Sequence, residues 1–181
     1  MKKVQGKYFI VKQIVLILTV CMTFLCSCFA FEGNEYNLKA MFLVNFTKYF
    51  EWPNESNSSN FIIGVIGSNE IYSSLVELNL KSTADGKTIL VKKISNDMKD
   101  QCNILFIGES ENKKMEEVIL KYGGKGVLVV SENMNGKTMI SDINLVKEEN
   151  KIRFELNLVD IKKSGIKISS KLIELSKKTK Q

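Results

Sequence analysis

Histidine is absent from the 181-residue chain, which excludes Ser-His and Cys-His nucleophilic catalysis, imidazole metal sites and histidine pH sensing together. The chemistry left to the sequence is that of hydroxyls, carboxylates and lysines. Three polar pairs each follow an apolar run: Ser68 with Asn69, Glu109 with Ser110, and Ser131 with Glu132. In an open α/β sheet, ligands bind outside the carboxyl ends of the strands. Hydroxyls and carboxylates at helix N-termini there can hydrogen-bond a small polar ligand. The same residue types serve equally as helix caps and loop residues, so both readings stand for these six positions.

Other catalytic arrangements are missing. Gly64-x-x-Gly67 lacks the full glycine fingerprint of a dinucleotide site, and no Walker-type loop occurs. No aspartate ends the central apolar run, so a phospho-receiver is excluded. Asp142 and Asp160 stand too far apart along the chain to be read as an acid pair. Cys102 is the only cysteine after Cys28, so thiolate metal clusters are excluded. Its ordinary reading is a small buried hydrophobe, with a redox role as the alternative. No catalytic residue, metal or cofactor is expected.

These residues need strands that end where the polar pairs begin. Cys102 to Gly108 (CNILFIG) is short, almost wholly apolar and closed by glycine. That is the pattern of a strand buried on both faces of a mostly parallel sheet. Phe61 to Ile66 and Val127 to Val130 echo it, and Thr88 to Ile94 reads as a further strand. Between them, helices are expected from Glu70 to Leu78, capped by Ser68 or Asn69, and from Glu109 to Tyr122, ended by Gly123-Gly124. Residues 131–136 read as a loop.

Upstream, Glu35 to Trp52 has no glycine or proline and carries Ala40, Leu43, Val44 and Phe50 at helical spacing, so a helix stopped by Pro53 is expected. Phe46, Tyr49 and Trp52 widen its apolar face. Docking on a sheet accounts for that face; a partner-binding patch at Phe46, Tyr49 and Trp52 is the sharper alternative. Downstream, Thr138 to Val146 and Lys151 to Leu158 read as an antiparallel hairpin, because Ile152, Phe154, Leu156 and Leu158 alternate with polar neighbours. A last helix is expected from Lys171 to Lys178, capped by Ser169 or Ser170, with Lys177, Lys178 and Lys180 as a solvated tail. The whole predicts an α/β three-layer sandwich: a mostly parallel sheet, helices on both faces and a C-terminal hairpin at the sheet edge.

Residues 1–30 stand apart. Four lysines precede an apolar run from Ile14 to about Leu25 and then small residues, the pattern of a secretory signal peptide. The run is shorter than the roughly 20 apolar residues of a membrane span. Cleavage after Ala30 is one reading; Leu25-Cys26-Ser27-Cys28 also resembles a lipobox that would anchor the chain through lipidated Cys28. Without the leader, 22 basic residues face 20 acidic ones, a net charge of +2 in place of +6. A nucleic-acid partner is therefore not expected, and residues 31–181 are the size of one domain.

Read together, KAMFLVNFTKYFEWP (Lys39 to Pro53), FIIGVIGS (Phe61 to Ser68), GKTILVKKI (Gly86 to Ile94), CNILFIGES (Cys102 to Ser110), GVLVVSE (Gly126 to Glu132) and the segment from Lys151 to Ser176 resemble the YfiR family of periplasmic regulators. The resemblance implies a non-enzymatic α/β protein, often a homodimer. It also implies repression of a membrane-bound diguanylate cyclase from the periplasmic side, relieved by an outer-membrane lipoprotein. Members also occur beside sensor kinases, so the partner is a cyclase or a kinase. Some members are redox-tuned through disulfides; Cys102 matches a cysteine opening the family's central strand, but no second cysteine follows Cys28 here. Two other classes compete: a periplasmic small-molecule binder, and an enzyme using carboxylate and lysine chemistry.

Overall fold

The computed structural model describes residues 35–53, 60–79, 83–84, 86–95, 101–111, 113–124, 126–132, 139–149 and 151–180. Residues 1–34, which include Cys28, and residues 54–59, 85 and 133–138 lie outside these, and with them the signal-peptide and lipobox expectations and most of the loop expected over 131–136. The chain divides into two compact units, Met1–Glu35 and Tyr36–Gln181, and the fold below is that of the second.

The described part of the first helix, α1, covers residues 35–46. Ala40, Leu43 and Phe46 recur on one face and are buried. The helix stops six residues earlier than expected from Pro53. Thr47 Oγ1 donates to Val44 O at 2.7 Å, residues 47–49 turn, and Phe50–Glu51 becomes strand β1. Phe50 pairs with Ile168 and Glu51 with Lys167 of β9 (Lys167–Ile168) in a small antiparallel sheet. Backbone pairing to a segment more than 100 residues away thus overrides a locally helical pattern, in a stretch where Tyr49 and Phe50 favour extended structure.

The main sheet grows from β2 (Asn60–Ile66). The chain runs through α2 (Asn69–Asn79) and β3 (Thr83–Ala84) to β4 (Lys87–Lys93), which lies parallel to one side of β2. It then crosses back to place β5 (Ile104–Ile107) on the other side of β2, and continues through α3 (Met115–Tyr122) to β6 (Leu128–Glu132). β7 (Ile143–Glu148) pairs parallel to β6 and antiparallel to β8 (Lys151–Asn157). α4 (Leu158–Lys163), α5 (Ser170–Leu175) and β10 (Lys178–Lys180) complete the chain. The eight-stranded order is β10-β8-β7-β6-β5-β2-β4-β3.

Alternation along the central strands sends their side chains to two cores, as a sheet covered on both faces requires. Ile104, Phe106, Leu128 and Val130 pack with α1, α2, α4 and α5. Leu105, Ile107 and Val129 pack with Met115, Val118 and Tyr122 of α3 and with Cys102. The three-layer, mostly parallel α/β architecture is thus the one expected.

Three local expectations change. Glu109 does not open one long helix: Glu109–Glu111 forms a separate 3-10 turn, and α3 begins at Met115. Ser131 and Glu132 belong to β6 rather than to a loop, because β7 pairs with them at Asn144 and Leu145. The lysine-rich tail is not a free solvated end. Lys178, Thr179 and Lys180 form β10, parallel to Glu155, Leu156 and Asn157, so one more strand is added beyond the hairpin.

Candidate functional site

The chain winds outward from β2 to β4, then returns to β5, so the strand order reverses between β2 and β5. In a doubly wound sheet the ligand crevice opens at that reversal, beyond the carboxyl ends of the two strands. Here the two ends meet backbone to backbone. Gly67 turns with φ of 75°, and a Cβ placed on Gly108 would lie 2.5 Å from Gly67 O. Ser110 Oγ donates to Gly67 O at 2.8 Å. Ser68 Oγ accepts from Ile71 N at 3.2 Å, capping α2, and donates to the Glu70 carboxylate at 3.2 Å. The mouth is therefore closed by the chain itself. A shallow cleft of about 350 Å³ opens beside it, lined in part by Ser68, Asn69, Glu70, Lys93 and Ser110. Three of the six expected ligand residues, Ser68, Asn69 and Ser110, thus share one cleft.

The other three lie elsewhere. Glu132 is buried, and Lys39 Nζ donates to its Oε2 at 2.6 Å. Glu132 Oε1 accepts from the backbone N–H of Glu109 at 3.1 Å. The carboxylate thereby ties α1 to the turn that follows β5. Lys39 is 2 % exposed, and sequence reasoning missed it. The signal was present: Lys39, Leu43 and Phe46 stand at i, i+4 and i+7, which puts the lysine on the apolar stripe. Ser131 is buried with Ser141, their hydroxyls sharing a hydrogen bond of 2.6 Å. Glu109 is exposed at the start of the 3-10 turn.

Of the aromatic trio expected on the first helix, only Phe46 lies in α1, and all three are largely internal. Phe46 is 1 % exposed and meets Phe50 and Phe154 edge to face. Tyr49 and Trp52 are half-buried against the same core. Trp52 packs edge-on to Phe61 at 4.8 Å and donates its indole N–H to Asn103 O at 3.1 Å. Cys102 is buried and forms no disulfide among the described residues.

A second polar centre lies near the amino end of β6. Asp142 is 5 % exposed. Its Oδ2 accepts from Val129 N at 2.7 Å, and its backbone O accepts from Asn157 N at 2.9 Å. Burial, followed by repulsion from Asp160, pushes its carboxyl up to about 7 against the pull of the Val129 hydrogen bond. Asp160, in the first turn of α4, is held by Asn157 Nδ2 at 2.6 Å and Lys163 Nζ at 2.8 Å. The two acids that looked isolated in the sequence thus act on each other across 18 positions. They share a cavity of about 260 Å³ beneath α3.

Among the described residues, no group of three or more acidic or cysteine side chains could hold a metal ion. No described helix is long and apolar enough to cross a membrane. Compared with known families, residues 36–177, from α1 to the residue before β10, match the family model described as YfiR/HmsC-like.

Proposed function

This chain belongs to the YfiR/HmsC-like family, and from that premise we propose that it is an exported, non-enzymatic signalling regulator. It binds the extracytoplasmic part of a membrane signalling protein, a diguanylate cyclase or a sensor kinase, and restrains it. The observation that carries the reading is the family match over residues 36–177, which spans every layer of the fold. The state of the strand ends supports it: Ser110, Glu132 and the Gly67–Gly108 contact spend their polar capacity on the chain itself. Recognition then rests on surface complementarity, through an apolar centre with a polar rim. Location in the periplasm, release by an outer-membrane lipoprotein and pairing into a homodimer belong to the same reading. So does a role for the exposed parts of Tyr49 and Trp52 in partner contact.

Cross-linking in living cells on a C-terminally tagged full-length chain, with mass spectrometry of the trapped species, tests it. Recovery of a cyclase or sensor kinase is the expected result. Recovery of self-links alone overturns the stable-repressor form. A second reading, a periplasmic small-molecule binder, is favoured by the cleft shared by Ser68, Asn69 and Ser110. Ligand retention that is lost in Ser68→Ala and Asn69→Ala would select that reading.

A further inference from the structure

The cavity at Asp142 is built differently from the strand-end cleft. Ile119, Leu120, Val129 and Ile140 give it apolar walls, and the Gly123-Gly124 turn closes one side. The Asp142 carboxyl lies deep, being 5 % exposed, whereas Lys163 and Asp160 stand at the rim with side chains 68 % and 30 % exposed. Both Asp160 oxygens are taken, one by Lys163 and one by Asn157. Asp142 Oδ2 holds Val129 N–H, and its Oδ1 has no hydrogen bond among the described residues. A buried acceptor without a partner is costly, and a buried carboxylate without a counter-charge more so.

These features select a ligand chemistry. Two carboxyls against one ammonium disfavour an anion. The apolar walls disfavour a bare hydrated ion, and the volume suits a small molecule. We propose that this cavity binds a small organic cation, a primary amine on a short apolar body. Its ammonium group donates to Asp142 Oδ1 and its hydrocarbon lies against Ile119, Ile140 and Val129. The site shares no lining residue with the strand-end cleft.

Proton linkage gives the binding a signature. Asp142 titrates near 7 in the empty site, and an ammonium ligand needs it ionised, so binding expels one proton below that pH. The charged groups facing Asp142 across the cavity are Asp160 and Lys163, both from α4. The cavity-lining residues of α3 and β6 are uncharged. Affinity therefore rises about tenfold per pH unit up to about 7 and levels off above it.

Calorimetric titration of the full chain with n-butylammonium, against n-butanol as the uncharged control of similar size, tests the proposal. The expected result is saturable amine binding with the stated pH profile and no comparable binding of the alcohol. Asp142→Asn should lose the amine. Should Asp142→Asn not fold, Leu120→Arg serves instead, read at low ionic strength: Leu120 is 83 % exposed on the cavity wall, and a cation there should weaken the amine about two- to threefold by repulsion. Equal binding of amine and alcohol, a flat pH profile, absence of binding, or unchanged affinity in Leu120→Arg would each overturn the proposal.

Discussion

Asp142 and Lys39 are the two residues whose environment departs furthest from that of their type, and they differ in how far the sequence announced it. Lys39 stood on the buried stripe of α1, so its interior position was legible. Its partner Glu132 was not, because it was read as loop. Asp142 carried no linear signal: its burial depends on Val129, Asn157 and Asp160, which only the sheet brings together. The Asp142 carboxyl is raised from 3.8 to about 7, so over that interval the folded chain keeps a proton that the unfolded chain has lost. The contribution of this group to stability is therefore greatest below about pH 4, is lost as pH rises to about 7 and does not change above, by an amount on the order of 4 kcal/mol. Asp142→Asn is expected to remove this slope and raise stability at pH 8, as read by urea unfolding across pH. Lys39→Ala leaves Glu132 buried without its counter-charge and should cost about 3–5 kcal/mol, whereas the pair Lys39→Met with Glu132→Leu should recover most of the loss. Thermal unfolding of the three variants checks this.

At the scale of elements, the legible parts were those written in local pattern. The apolar run around β5 and the alternation of β8 each gave the right strand. So did the caps: Ser68 on α2 and Ser169 on α5 both accept the expected backbone N–H. The misread parts were set by distant pairing. α1 ends early because β1 is held by β9, and the C-terminal lysines are extended because β8 offers them an edge. β10 covers that edge with a short strand in which two of three residues are lysine, a device that discourages pairing with another chain. The family match stops at residue 177, just short of it. Deletion of residues 178–181 uncovers the outer side of β8. The expected outcome is concentration-dependent association on size-exclusion chromatography, under conditions where the full chain elutes as a smaller species.

At the scale of the molecule, the three-layer class followed from continuous apolar runs alternating with helical segments. The strand order did not, because no local residue records that the chain returns past β2. Family membership was carried by several short motifs in order rather than by any catalytic signature. The two cores on either face of the sheet make the interior continuous from α1 to α3. Cys102 sits within the second at 6 % exposure. Its thiol should therefore react with a maleimide at the rate of opening of that core rather than at the rate of a free thiol. In dilute denaturant the labelling rate should rise in step with the unfolded fraction seen by tryptophan fluorescence.

The return past β2 also orders events in time. β2 and β4 are close in sequence, whereas the second flank of β2 is filled only by residues 104–107. A chain emerging N-terminus first from a ribosome or a translocation channel thus presents Ile63, Gly64, Val65 and Ile66 along an open apolar edge until β5 arrives. Such an edge invites chaperone capture or pairing with a neighbouring nascent chain. That edge closes only when β5 pairs with β2 and the Gly67–Gly108 contact forms at its end.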